Sequence, residues 1–122
     1  MDKREADQIV EDFFNTYGQA LLARDAGAIA AQYAVPGLIL FPGQSLPVTS
    51  PGQTAEFFAG AFGQYEGVDE ATSDKVVWAA TDHSIWVDVT WSYNTGASEQ
   101  LMYQLVEDSG TWKIAVLTPL AG

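Results

Sequence analysis

The side chains of this sequence best suited to chemistry are two tyrosines, Tyr17 and Tyr103. A phenolic hydroxyl inside an apolar site can donate a hydrogen bond to a carbonyl or phenolate oxygen of a ligand. The alternative is that both tyrosines belong to the core, with hydroxyls bonded to backbone carbonyls or water. The two support one site only if both hydroxyls point inward, so the elements that carry them decide between these interpretations.

Other reactive side chains are few. The sequence has one histidine, His83, and no cysteine, which excludes a two-histidine metal site, disulfides, thiolate nucleophiles and zinc–cysteine sites. His83 lies in the turn sequence TDHS, where a histidine is normally exposed. No glycine-rich phosphate loop and no GxSxG motif occurs. We therefore expect no metal ion and no cofactor.

The acidic side chains are interpreted as structural or as surface charge. Asp25 is placed to cap a short helix, and Asp88 falls on the outer face of a predicted strand, where a salt bridge or an interface contact is expected. Glu66, Asp69 and Glu70 cluster before the first long strand. Their spacing could suggest a cation site but lacks any calcium-loop pattern, so surface charge is predicted.

Composition indicates one domain spanning residues 1–122. Hydrophobic residues make up 48% and charged residues 17%, which is sufficient for a core. The net charge of −11 would repel nucleic acid and anionic lipid surfaces, so neither is expected as a partner. The apolar runs are too short for a membrane span, and the N-terminus lacks the apolar core of a signal peptide. We expect a cytoplasmic protein.

The N-terminal third of the sequence predicts two helices. Over residues 3–22, apolar residues recur at spacings of three and four and form one stripe. A second, shorter helix is predicted over residues 26–34, because Asp25 can cap it and Pro36 cannot continue it.

A short apolar strand, 38–41, is predicted next, followed by a loop with few charges, 42–50. We expect this loop to border the mouth of a pocket. Ser50 followed by Pro51 is typical of a helix N-terminus, and the third predicted helix runs to about residue 65.

The C-terminal half alternates with a period of two. This pattern predicts four strands, which are 71–80, 84–93, 99–107 and 112–120. Short turn sequences separate them, so an antiparallel meander is expected. Helices must cover one face of such a sheet, which makes the fold class α+β.

Alternation also assigns the two faces of the sheet. Residues expected to face the helices are Ile85, Val87, Val89, Trp91, Tyr93, Leu101, Tyr103 and Leu105. An apolar patch is expected on the outer face, where it would join two copies in a homodimer, and it consists of Trp86, Met102, Val106 and Leu117.

The order of elements resembles the nuclear transport factor 2-like superfamily over nearly the whole chain. The residues that carry the resemblance are the segment from Tyr17 to Tyr33, the helix that begins at Pro51, and the turn and strand GTWKI at 110–114. It implies three N-terminal helices packed on a strongly curved, mostly antiparallel sheet that forms a cone with an internal pocket. The superfamily holds isomerases, dehydratases, polyketide cyclases, binders and association domains, and its members commonly dimerise through the outer sheet face.

Ketosteroid isomerases are relatives in this superfamily whose catalytic positions are known. They use a helix-one tyrosine and a strand carboxylic acid as an oxyanion hole, and a second carboxylate as the base. The resemblance places Tyr17 at the oxyanion tyrosine, Tyr33 at a supporting tyrosine and Tyr103 at the carboxylic acid. The base position falls on Phe41, which cannot accept a proton, so steroid isomerase activity is not expected.

Three functions remain open at this point. The first is binding of a small apolar molecule, the second is an isomerase, lyase or cyclase acting on a small apolar carbonyl compound, and the third is a dimeric protein-interaction module. The catalytic candidates are Tyr17 and Tyr103, with a base from an unexpected position such as Glu66 or from water. The residues expected to contact a ligand are Tyr17, Tyr33, Phe41, Phe58, Val87, Val89, Trp91 and Tyr103.

Overall fold

Three helices cover one face of a six-stranded sheet in the computed structural model, which describes residues 1–120. The last two residues of the predicted domain, 121–122, lie outside the described residues. The helices are α1 (Lys3–Leu22), α2 (Ala26–Ala30) and α3 (Pro51–Ala61), and α3 continues as a 3-10 helix, Phe62–Tyr65. The strands are β1 (Tyr33–Phe41), β2 (Gln44–Val48), β3 (Ala71–Ala80), β4 (Ser84–Tyr93), β5 (Ser98–Asp108) and β6 (Thr111–Pro119).

The sheet confirms the predicted α+β class and the predicted meander. Its strand order is β2-β1-β6-β5-β4-β3, and β3 to β6 pair antiparallel in sequence order. β1 adds to β6 in parallel, and β2 closes the edge as the antiparallel partner of β1. Register shifts interrupt three of the five pairings. Such irregularities bend the strands and increase their twist, which curves the sheet around the helices.

Helix α1 fixes the core against the inner face of the sheet. It begins where the Asp2 carboxylate accepts a hydrogen bond from the Glu5 backbone N–H at 2.8 Å. The Phe14 ring lies 4.9 Å from the ring of Tyr103 and 6.1 Å from that of Trp91, measured between centroids. Each fully buried aromatic side chain of this kind contributes about 2–3 kcal/mol. α1 is therefore held on the sheet mainly by apolar contact.

The predicted second helix is too long at its C-terminal end. α2 ends at Ala30, and Tyr33 is the first residue of β1 rather than part of a helix. Pairing with β6 is the physical reason, because Tyr33 pairs with Ile114 and the Gln32 carbonyl accepts a hydrogen bond from the Ile114 N–H at 2.8 Å. The strand therefore begins five residues earlier than the sequence pattern indicates. Tyr33 lies beside α1, with its side chain buried.

The predicted loop 42–50 is largely a strand. Phe41 pairs with Gln44 across a two-residue turn in which Gly43 has a φ of 75°, and β2 runs back along β1 from there. Val48 is buried and Leu46 is half-buried. Pro47 is compatible with this strand because β2 is at the edge of the sheet. The two prolines of this segment favour a loop in the sequence pattern, although edge strands tolerate them.

A bulge in β6 reverses one predicted face. Gln104 pairs with Val116 while the next residue, Leu105, pairs with Ile114, so the intervening alanine has no partner of its own. Beyond this point the alternation shifts by one residue. Leu117 consequently points inward and is only 3% exposed. The prediction that Leu117 belongs to the outer apolar patch is therefore wrong.

The remaining members of the predicted patch do lie on the outer face. Trp86 is 37% exposed, and Met102 and Val106 are half-buried. A second bulge, in β3, places Trp78 beside Ala79 and opposite Trp86, and Trp78 is 67% exposed. The outer face thus presents two tryptophans to solvent.

Candidate functional site

A cavity of about 80 Å³ lies between α1, α3 and the inner face of the sheet. Its apolar walls are formed by Leu21, Phe41, Phe58, Phe62, Leu101 and Leu117. A water molecule needs roughly 10–15 Å³ of such space, so several waters or one compact molecule would fit. Ligand pockets typically measure about 300–1,000 Å³, which makes this a narrow site.

Five of the eight residues predicted to contact a ligand line this cavity, namely Tyr17, Phe41, Phe58, Trp91 and Tyr103. The other three do not. Val87 and Val89 are completely buried in the core, and Tyr33 lies behind Tyr17. The segment 42–50, expected at the mouth, contributes no lining residue.

The deep end of the cavity is a cluster of hydrogen-bonded aromatic side chains. The Tyr17 and Tyr33 hydroxyl oxygens are 2.6 Å apart, and the Trp91 Nε1–H donates to the Tyr103 hydroxyl oxygen at 3.0 Å. Burial raises the pKa of Tyr17, Tyr33 and Tyr103 well above the ordinary value for tyrosine. The proximity of Tyr33 raises the pKa of Tyr17 further. These hydroxyls therefore stay protonated and remain available as donors.

Two hydroxyl protons in this cluster have no acceptor among residues 1–120. Trp91 is a donor only, so Tyr103 accepts its hydrogen bond and keeps its own O–H unused. The Tyr17 and Tyr33 hydroxyls form one hydrogen bond with each other, which uses one of their two protons and leaves the other without an acceptor. Either hydroxyl can be the donor in this bond, and when Tyr33 donates, the remaining proton belongs to Tyr17, which lines the cavity. A buried donor without an acceptor is costly, and an oxygen atom of a ligand would satisfy both.

The mouth of the cavity contains a carboxylate that sequence reasoning missed. Glu99 lines the cavity and accepts a hydrogen bond from the Tyr93 hydroxyl at 2.8 Å. Burial, followed by the adjacent Glu99 carboxylate, raises the pKa of Tyr65 and of Tyr93 above its ordinary value. The signal was present in the alternation of β5, because Glu99 shares its face with Leu101 and Tyr103.

Arg24 lines the same mouth and joins two helices there. Its guanidinium donates to the backbone carbonyls of Leu22 at 2.8 Å, Tyr65 at 2.6 Å and Val68 at 2.7 Å. Arg24 itself has a φ of 51°, in the left-handed region. These contacts tie the end of α1 to the 3-10 helix. No sequence pattern pointed to this role, which depends on contacts more than forty residues apart.

The other residues singled out from the sequence have structural positions. Asp25 caps α2 by accepting from the Ala28 N–H at 3.1 Å, and Asp88 accepts from Gln100 on the outer sheet face. His83 is exposed in its turn. Within residues 1–120, no group of three or more histidine, aspartate or glutamate side chains is placed to hold a metal ion. No helix in the described part of the chain has the length and apolar character needed to cross a membrane.

Comparison with known proteins identifies the fold. The family model described as NTF2-like protein (DUF6841) matches residues 4–122. No curated protein matches the sequence. Aln2 from a Streptomyces species is similar in structure, with a TM-score of 0.74 and 20% identity over 98% of this chain and 93% of that one.

Two further solved structures are similar at low identity. An NTF-2 like protein of unknown function from Shewanella oneidensis has a TM-score of 0.75 and 10% identity, covering 93% of this chain and 97% of that one. A ketosteroid isomerase-like protein from Erwinia carotovora atroseptica has a TM-score of 0.67 and 19% identity, covering 94% and 96%. At these identities the likeness extends to the fold alone.

Proposed function

The chain belongs to the NTF2-like family DUF6841, and we propose that it binds a small, mostly apolar molecule in the cavity. The observation that carries this proposal is the pair of unused hydroxyl protons at the deep end, one on Tyr103 and one shared by Tyr17 and Tyr33. An apolar cavity with a few convergent polar groups is the usual form of a ligand site. The ligand's oxygen would accept from Tyr17 and Tyr103.

The narrow cavity sets the size of this ligand. A single-ring phenol or ketone fits the available space better than a fused polycyclic compound, since about 80 Å³ is far below the size of a typical drug-sized pocket. Leu117 contributes to this narrowness because the β6 bulge turns it inward.

A matched pair of variants tests the proposal. Tyr103→Phe removes a hydroxyl whose proton is free, whereas Tyr93→Phe removes one whose proton is already donated to Glu99. With 4-ethylphenol as the probe, calorimetry is expected to show weaker binding for Tyr103→Phe by roughly three- to tenfold, the value of one hydrogen bond. Tyr93→Phe should bind as wild type does. Equal affinities for all three proteins would contradict the proposal.

An enzymatic use of the same cavity is favoured by one specific observation, the Glu99 carboxylate in its lining. The resemblance to ketosteroid isomerases places Phe41 at their base position, and Phe41 cannot accept a proton, so a base has to come from elsewhere. Glu99 could remove a proton next to a carbonyl held by Tyr17 and Tyr103, which would stabilise the enolate oxygen. Deuterium uptake at the α-carbon of a small aryl ketone, lost in Glu99→Gln, is the expected signature.

The outer sheet face is proposed to join two copies of the chain. Trp78 and Trp86 are exposed there beside Val76, and large exposed apolar patches usually mark interfaces. A two-fold dimer would bury the same patch from both copies. Sedimentation analysis is expected to give a dimer for wild type and a monomer for Trp86→Lys. A wild-type monomer at high concentration would contradict this assignment.

A further inference from the structure

The Glu99 carboxylate is the feature of the cavity that binding of an apolar phenol or ketone leaves unexplained. A carboxylate in an apolar lining is unfavourable unless hydrogen bonds or a cation compensate it. Tyr93 supplies one hydrogen bond and the Tyr65 hydroxyl lies near enough to interact with the same carboxylate, yet a carboxylate can accept about four hydrogen bonds. Among residues 1–120, no lysine, arginine or histidine nitrogen lies within ion-pair distance of Glu99, and the ion pairs of this part of the chain involve Asp82, Asp7 and Glu11.

Three aromatic side chains lie near this carboxylate. The rings of Tyr65 and Tyr93 meet edge to face with centroids 5.9 Å apart, and Trp91 is the partner of Glu99 in the β4–β5 ladder. All three line the cavity together with Glu99. Ring faces attract cations, and a carboxylate among aromatic rings is the arrangement that receives an organic ammonium group.

The charge around the mouth has the sign that a cation requires. Glu66, Asp69 and Glu70 lie in the exposed segment that follows the 3-10 helix. Asn94 fixes this segment beside the β4–β5 turn, because its Oδ1 accepts from the backbone N–H groups of Asp69 and Glu70 at 3.0 and 3.1 Å. The whole chain carries a net charge of −11, so its field attracts cations and repels anions.

Arg24 is the one cationic side chain among the lining residues within 1–120, and its charge opposes an incoming cation. Its guanidinium is held by three backbone carbonyls, whose negative ends offset part of that charge. Among residues 1–120 it makes no ion pair with a carboxylate, that of Glu99 included. The carboxylates of Glu66, Asp69, Glu70 and Glu99 outnumber the one guanidinium, so the net charge around the mouth is negative.

We propose, building on the ligand binding above, that the ligand carries a protonated amine which binds to Glu99 at the mouth. Its oxygen end binds to Tyr17 and Tyr103 at the deep end. Glu99 and Tyr103 share a face of β5 four residues apart, which places their Cα atoms roughly 13 Å from each other. After the two side chains extend into the cavity, a single ring with a short aminoalkyl arm spans the remaining distance.

Three probes with the same phenol ring test this assignment. They are tyramine, which is cationic at neutral pH, 4-ethylphenol, which is neutral, and 4-hydroxyphenylacetate, which is anionic. Calorimetric titration of wild type at low ionic strength is expected to rank them in that order. Tyramine should bind about tenfold more tightly than 4-ethylphenol, the gain from one partly desolvated cation site. Added salt should reduce this preference.

Two variants localise the preference. Glu99→Gln keeps the size of the side chain and should abolish the advantage of tyramine over 4-ethylphenol. Glu56→Gln removes the same charge from an exposed position outside the cavity lining and should preserve it. A preference that survives in Glu99→Gln overturns the proposal, as does wild type binding 4-ethylphenol as tightly as tyramine. If none of the three probes binds, the ligand-binding function itself fails, together with this inference.

Discussion

Raising the pH above 10 is expected to unfold this protein cooperatively, because its tyrosines resist ionisation only while the chain is folded. The pKa is raised in the folded state for all five, which are Tyr17, Tyr33, Tyr65, Tyr93 and Tyr103. In an unfolded chain a tyrosine ionises near pH 10. Below that pH both states hold the proton and stability is unaffected. Above it the unfolded chain loses protons that the folded chain retains, so stability falls as pH rises.

The size of this effect follows from burial. Each tyrosine that stays protonated in the folded state costs about 1.4 kcal/mol of stability per pH unit above 10. Tyr17, Tyr33 and Tyr103 are almost completely buried and together give about 4 kcal/mol per pH unit. A domain of ordinary stability, about 5–15 kcal/mol, would therefore unfold between roughly pH 11 and pH 14.

Urea unfolding followed by far-ultraviolet circular dichroism at several alkaline pH values measures this slope directly. Tyr17→Phe removes one of the three buried groups and should reduce their share of the slope by about one third. Tyrosinate absorbance should appear together with the loss of secondary structure. Tyrosinate that forms near pH 10 while the circular dichroism spectrum is unchanged would refute the assignment of these hydroxyls to a buried cluster.

Three further predictions concern stability and are checked by chemical denaturation. Leu117→Ala should cost about 2–4 kcal/mol because the side chain is buried by the β6 bulge, whereas Val116→Ala on the outer face should cost less than about 1 kcal/mol; equal costs would contradict the bulge. Gly37→Ala should destabilise by about 1–3 kcal/mol, since a Cβ there meets backbone carbonyl oxygens at 2.8 and 3.1 Å, while Gly60→Ala has open space and should stabilise α3 slightly; a neutral Gly37→Ala would contradict this packing. Asp25→Ala should cost about 1 kcal/mol through loss of the α2 cap, and no change would show that the cap contributes nothing.

Local signals predicted most of the elements correctly. The stripe of α1, the cap at Asp25, the proline at the start of α3 and the period of two in the meander each depend on neighbouring residues. The same alternation placed Trp91 and Tyr103 on the inner face, where they line the cavity. These features were accessible because a helix stripe or a strand face is determined within a few residues.

The errors have a different origin, since they depend on contacts between distant parts of the chain. The bulge that turns Leu117 inward is a property of the β5–β6 register, which no window of β6 reveals. Arg24 reaches carbonyls beyond the next helix, and Tyr33 joins a strand whose partner is β6. Glu99 is the exception. Its inward direction follows from the same alternation that placed Tyr103, but acidic residues in a strand near a turn are usually taken as solvated.

The most direct test of ligand binding in the cavity is an NMR titration that follows the indole N–H signals of the tryptophans. Trp91 donates its indole N–H to Tyr103 at the deep end, whereas Trp78 and Trp86 lie on the outer face. With 4-ethylphenol, we predict that the Trp91 signal, assigned through Trp91→Phe, shifts and saturates while the outer-face signals stay in place. An unchanged Trp91 signal, or shifts confined to Trp78 and Trp86, would contradict a ligand site inside the cone.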